Sequence, residues 1–361
     1  MTPAHVVSGA VATLLVGCGQ AASPGAPTSA GLHVSGNHLV DGNGAGVRLV
    51  GVNRSGTEYA CVQGWGIFDG PSDEASIAAM KSWHINAVRL PLNEDCWLGI
   101  NGVQATYGGN AYRNAVAGYI SRLHAAGVDV ILELHLTAPG NQHATAQMPM
   151  PDADHAPAFW ASVAATFRDD HQLIFDLFNE PFVDNSGTRT GTPWSCWRDG
   201  CTMNPGFGAS APWQAAGMQS LLDAVRSAGA TQPVMLGGLR WANDVSGWLA
   251  HKPHDPGSAL VVSFHLYNFN SCIDEACWNA QLRPLASQVP VVTGELGEND
   301  CAGGFVNRYM PWADAAGISY LAWTWNTWDC RSGPALITDY NGSPTGYGAA
   351  YRSHVQQARA A

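Results

Sequence analysis

Two glutamates stand where apolar runs end. Leu173–Asn179 closes on Asn179-Glu180-Pro181, and Pro290–Leu296 closes on Gly294-Glu295-Leu296-Gly297. An acid at the end of a buried run carries a desolvation cost unless it has partners or a task. Two carboxylates that flank a bond are the apparatus of glycoside hydrolysis. Other polar residues close other runs: Arg89 before Leu90-Pro91, His135 after Glu133-Leu134, the pair His265 and Tyr267, and Trp323 before Thr324-Trp325-Asn326. Glu133 reads as a supporting acid. Glu94, Asp95, Glu298 and Asp300 read as solvated loop acids, and His251-Lys252-Pro253-His254 reads as surface, without the spacing of a zinc site. The chain holds no His-Glu-x-x-His, no Gly-x-Ser-x-Gly elbow and no P-loop, so no metal or cofactor is implied.

The elements that must position these residues alternate along the chain. Strand-like runs cover Arg48–Asn53, Asn86–Leu92, Asp129–Leu136, Leu173–Asn179, Pro233–Leu239, Leu260–Asn268, Pro290–Leu296 and Ile318–Trp325. Several are nearly continuous apolar runs, as parallel strands buried on both faces require. Amphipathic stretches at Asp73–Trp83, Tyr112–Ala126, Ala156–Arg168, Trp213–Ala228, Trp278–Ser287 and Phe305–Ala316 lie between them. The pattern predicts an α/β chain folded as a (β/α)8 TIM barrel, preceded by a small hairpin within Leu32–Val47. Barrel chemistry sits at the C-terminal strand ends, where the polar residues above fall. A long irregular insertion is expected at about 183–212, after the fourth strand.

With those residues in that order, the chain resembles the retaining, cellulase-type enzymes of glycoside hydrolase family five, from about Gly31 to the C-terminal helix. The resemblance implies that Glu180 is the general acid/base and Glu295 the nucleophile. It also implies substrate-binding roles for Arg89, His135, Asn179, His265, Tyr267 and Trp323. Arg89 and Tyr267 would hold Glu295 charged, Asn179 would bond the sugar 2-hydroxyl, and Trp323 would form a stacking floor. Retention calls for carboxyl groups about 5–5.5 Å apart.

Composition bounds the partners. Charged residues make up 12% of the 361, with 17 basic against 28 acidic and a net charge of -11, which disfavours nucleic acid. A short apolar run at Val6–Val16 leads through Leu15-Val16-Gly17-Cys18 into a Gly/Ala/Ser/Pro/Thr stretch ending at Ala30. Residues 1–30 therefore read as an export leader and tether, although no Lys or Arg precedes Arg48. Leu-Val-Gly-Cys resembles a bacterial lipobox, which makes Cys18 a candidate lipid anchor; ordinary cleavage near Ala21 or Ala22 is the alternative. Residues 31–361 form the catalytic domain of a secreted or cell-surface lipoprotein, expected to be extracellular and monomeric.

Setting Cys18 aside leaves eight of nine cysteines. Once the barrel is assumed, Cys61 and Cys96 follow neighbouring strands, as do Cys301 and Cys330. Cys196–Cys201 and Cys272–Cys277 would pair locally, so four disulfides brace the active-site loops. Of the 14 tryptophans, Trp83, Trp160 and Trp248 read as core. Trp65, Trp97, Trp194, Trp197, Trp241, Trp323, Trp325 and Trp328 fall on the catalytic side, where flat rings suit sugar faces.

The leading functional reading is an endo-β-1,4-glucanase. Alternatives are an exo-acting β-glycosidase, with the Trp194/Trp197 insertion closing one end of the cleft, and a β-mannosidase or mannanase. A carbohydrate-binding lipoprotein without turnover is another, disfavoured by the paired acids. A metal-dependent hydrolase would need ligands that Arg48–Asn53 does not supply.

Overall fold

The computed structural model describes Met1, residues 31–331 and residues 333–358. Residues 2–30, where a leader and the candidate anchor Cys18 are expected, lie outside the described residues. Strands β1 (His33–Ser35) and β2 (His38–Val40) form the expected antiparallel hairpin. Then come β3 (Val50–Asn53), β4 (Ala87–Asn93), β5 (Asp129–Leu136), β6 (Leu173–Asp176), β7 (Cys201–Met203) and β8 (Trp213–Ala215). The last four are β9 (Val234–Gly237), β10 (Leu260–Tyr267), β11 (Val291–Gly297) and β12 (Ser319–Ala322). Eight of them close in the order β3-β4-β5-β6-β9-β10-β11-β12, every pair parallel, as a (β/α)8 barrel.

The two-residue period of a strand explains how this barrel carries a site. The lowest inward layer is apolar: Ala87, Ile131, Ile174, Met235, Val261, Val292 and Leu321, closed from below by Leu32 and Leu39 of the hairpin region. Two residues further along, the same face becomes polar, with Arg89, Glu133, Asp176, Ser263 and Trp323. Two further again stand His135 and His265. The alternate residues, among them Val88, Val130 and Leu132, join Tyr119, Leu123, Phe159 and Trp160 in the sheet–helix core. Trp83, Trp160 and Trp248 are core as expected, and Trp97, Trp197 and Trp325 join them, each fully buried.

Two expectations need correction. Trp213–Ala228 is not one helix: Trp213–Ala215 pairs with Cys201–Met203 as β8 on β7, and the helix begins at Met218. Ladder pairing overrides the local helical pattern there. The 183–212 insertion is not irregular either, because it contains the helix Pro193–Asp199, capped by Thr192, as well as β7.

Candidate active site

Arg89 organises the floor of the barrel mouth. Its side chain is fully buried, and its Nη1 donates to Glu295 Oε1 at 2.8 Å. Nε donates to Asp176 Oδ2 at 3.0 Å, Nη1 also to Asn53 Oδ1 at 3.1 Å, and Nη2 to Asn179 Oδ1 at 3.0 Å. Glu133 lies 3.6 Å from Nη2. A planar fork is the side chain suited to so many acceptors at once. Glu295 Oε2 accepts from the Tyr267 hydroxyl at 2.5 Å, so cation and phenol each hold one oxygen of the carboxyl group.

The Gly-Glu-Leu-Gly run has a steric reason. A Cβ on Gly294 would stand 3.0 Å from the His265 ring, and one on Gly297 would stand 2.8 Å from the Tyr267 ring. A register shift after Phe264 pairs His265 with Glu295 across β10 and β11, and both then face the mouth.

Glu180 follows β6 with φ of 51°, in the left-handed region and directly before Pro181. Such a backbone costs about 1–3 kcal/mol in a residue other than glycine and clusters at working sites. The turn is held by Asn179 N–H donating to Leu134 O at 2.9 Å and by Trp241 N–H donating to Pro181 O at 3.0 Å. Oε1 of Glu180 lies 3.0 Å from His265 Nδ1. Burial, then the nearby Glu295 charge, pushes Glu180 well above the usual carboxylate range. Burial and the Arg89 charge push His265 well down, so its ring is neutral. One carboxylate oxygen from each of Glu180 and Glu295 and a ring nitrogen of His265 lie within 4.8 Å of one another, so the two acids face each other across the mouth. A cation among these three would have to compete with the Arg89 guanidinium already on Glu295.

His135 carries charge at the wall. Burial pulls its pKa down, but the Glu133 carboxylate 3.0 Å from Nδ1 outweighs it and raises the value to about 9. The ring stacks on Trp323, with centroids 5.6 Å apart and 18° between planes. Asn179 Nδ2 donates to Gln147 Oε1 at 2.9 Å, and Gln147 returns a bond to Asn179 O at 2.6 Å.

The eight residues singled out from the sequence thus converge on one cleft. Asp176, Asn53 and Gln147 were missed. Asp176 has a signal, since it stands two residues beyond the inward Ile174; Gln147 lies in a loop with no pattern to mark it. Three of the loop acids need correction. Glu94, Asp95 and Glu298 are fully buried, and Glu298 accepts the Phe305 N–H at 2.6 Å at the start of the helix Val306–Ala315. His251 is not plain surface, because it lines the cleft and stacks on Trp194 at 5.6 Å.

The cleft has a volume of about 1240 Å³ and opens between the loops after β6, β9, β10 and β12. Trp241, half-exposed, lies flat on Phe182 at 4.8 Å and 9°, and Phe269 stacks on Tyr267 at 5.1 Å. Disulfides join Cys61–Cys96, Cys196–Cys201, Cys272–Cys277 and Cys301–Cys330, the pairs that the loop order points to.

With this geometry in hand, residues 40–329 match the family model "Cellulase (glycosyl hydrolase family 5)". The chain belongs to glycosyl hydrolase family 5. As a family 5 enzyme it hydrolyses β-glycosidic bonds with retention. Among its relatives, a mannan endo-1,4-beta-mannosidase of Streptomyces lividans is 25% identical over 337 residues, covering 90% of this chain and 74% of the relative. A second enzyme of that name, from Cellvibrio japonicus, is 24% identical and covers 89% of this chain and 65% of the relative. A β-glucanase of Saccharophagus degradans, solved with cellotetraose, superposes with a TM-score of 0.70 at 20% identity, covering 92% of this chain and 94% of that one. These family 5 relatives thus include both mannan- and glucan-directed enzymes.

Proposed function

We propose that the chain is an exported, endo-acting β-1,4-glycanase, with mannan ahead of glucan as its substrate. The observation that carries the reading is the pair Glu180 and Glu295, one raised toward the acid form and the other bonded to Arg89 and Tyr267. In this mechanism Glu295 attacks the anomeric carbon as the bond to the leaving oxygen breaks, and Glu180 gives that oxygen its proton. Glu180, now ionised, takes a proton from water. The water oxygen then displaces Glu295 from the anomeric carbon, and two inversions give retention. His265 orients Glu180, Trp323 supports the sugar ring, and Asn179, held by Arg89 and Gln147, meets the 2-hydroxyl.

Endo action is supported by the cleft, which exceeds the roughly 300–1,000 Å³ typical of small-ligand pockets and so has room for several rings. The two curated mannan-directed relatives, each spanning about nine-tenths of this chain, support mannan first. Four disulfides support an extracellular protein. Residues 1–30 as leader, Cys18 as lipid anchor and a monomeric state are parts of the same proposal. The mass of the mature N-terminal peptide tests the first two.

Product analysis on β-mannan, β-1,4-glucan and their oligosaccharides tests the substrate. Mixed oligosaccharides from mannan, with slower glucan cleavage, are expected. Release of single sugars from chain ends would overturn endo action, and equal near-zero rates in wild type and Glu180→Gln would leave only carbohydrate binding.

A further inference from the structure

Away from the paired catalytic acids, a second cluster joins the loops after β4 and β5. Glu94 opens the short helix Glu94–Leu98 that follows β4, and Asp152 and His155 precede the helix Ala156–Phe167. One ligating atom from each lies within 4.8 Å of the other two. His155 Nδ1 is 3.5 Å from Asp152 Oδ1 and 3.9 Å from Glu94 Oε1. Glu94 and Asp152 are fully buried side by side. Asp152 Oδ1 accepts the His155 N–H at 2.8 Å, and Oδ2 accepts the Thr137 hydroxyl. Glu94 Oε1 takes a long contact of 3.4 Å from Ala138 N–H, and its carboxyl group also lies within hydrogen-bond reach of Asp152 and Thr137. Two buried atoms of the cluster have no hydrogen-bond partner, Glu94 Oε2 and His155 Nδ1.

Two fully buried acids side by side are costly unless a cation joins them or one of them takes up a proton. An imidazole nitrogen facing two carboxylates is a donor set for a first-row transition ion, because calcium and magnesium take oxygen ligands. Ligand atoms about 2.1 Å from a tetrahedral zinc lie about 3.4 Å from one another, within about half an ångström of the two distances to Nδ1. His155 keeps a quarter of its side chain exposed, which gives an ion a path in.

We propose that Glu94, Asp152 and His155 bind one divalent transition-metal ion of the zinc class, with a structural role. The ion ties the loop after β4 to the segment 137–155, which carries Gln147 and through it Asn179. It takes no part in glycoside cleavage.

The test uses the full chain, stripped with a chelator, dialysed and titrated with Zn²⁺ by calorimetry. One equivalent is expected to bind, raising the melting midpoint by about 4 °C at ~100-fold excess over Kd. Glu94→Gln and His155→Gln each weaken binding at least ~10-fold. His155→Gln, at the partly exposed member, carries the test if Glu94→Gln does not fold. Absence of saturable binding to wild type would overturn the proposal; a more stable stripped Glu94→Gln would then identify a protonated acid pair. Unchanged binding in the variants, or binding of Ca²⁺ but not Zn²⁺, would overturn it as well.

Discussion

His265 Nδ1 stands 3.0 Å from Glu180 Oε1, and the ring is neutral because burial and the Arg89 charge oppose its protonation. A neutral partner orients the carboxyl group without stabilising its anion as an imidazolium would. His265→Ala should therefore misplace the proton donor and lower kcat by ~10–100-fold, toward the lower end of general-acid contributions. The loss should be greatest for a sugar leaving group and small for an activated aryl glycoside, whose departure needs little acid. Equal losses on both substrates would point to a folding defect, as would a fall in melting temperature to match.

Glu180 itself makes activity and stability move in opposite directions. Its pKa is raised in the fold, so ionising it above the ordinary carboxylate range costs stability, and that cost grows as pH rises. Glu180→Gln removes the charge and should melt at or above the wild-type temperature at pH 7. The same variant should lose ~10²–10⁴ in turnover of an unactivated linkage. Calorimetric melting and reducing-sugar release, on one preparation, check both signs.

Arg89 is the opposite case, a buried cation whose loss leaves charges behind. Glu295 and Asp176 are bonded to it and Glu133 lies 3.6 Å away. Removing one partner from such a group costs about 3–5 kcal/mol through the uncompensated charges. Arg89→Lys keeps a charge but cannot span Glu295, Asp176, Asn53 and Asn179 together. Guanidinium unfolding should show a large loss for Arg89→Met and a smaller one for Arg89→Lys, with kcat down sharply in both.

The barrel was legible because parallel strands write their burial as continuous apolar runs, and the site because its acids interrupt those runs at their ends. Asn179, Glu180 and Glu295 stand where a purely structural strand would stay apolar. What was not legible is long-range. Glu94 and Glu298 look like loop acids in sequence, yet the first is buried against Asp152 and the second against the Phe305 amide. Nothing local records that Gln147 will meet Asn179, some thirty residues away. Trp213–Ala215 reads as helix until Cys201–Met203 supplies a strand to pair with.

The charge on His135 sets a pH limit on the fold. Its pKa is raised from 6.5 to about 9, with Glu133 outweighing burial. A histidine raised in this way contributes stability that is complete below about 6.5 and is lost as pH climbs through about 9. Other groups titrate too, Asp176 among them at about 6, so the wild-type curve alone does not isolate His135. The difference between wild type and His135→Gln does. The melting-temperature advantage of wild type should be greatest below pH 6.5, shrink between 6.5 and 9, and flatten above. A constant gap across that range would show that His135 acts through its stacking on Trp323 and not through its charge.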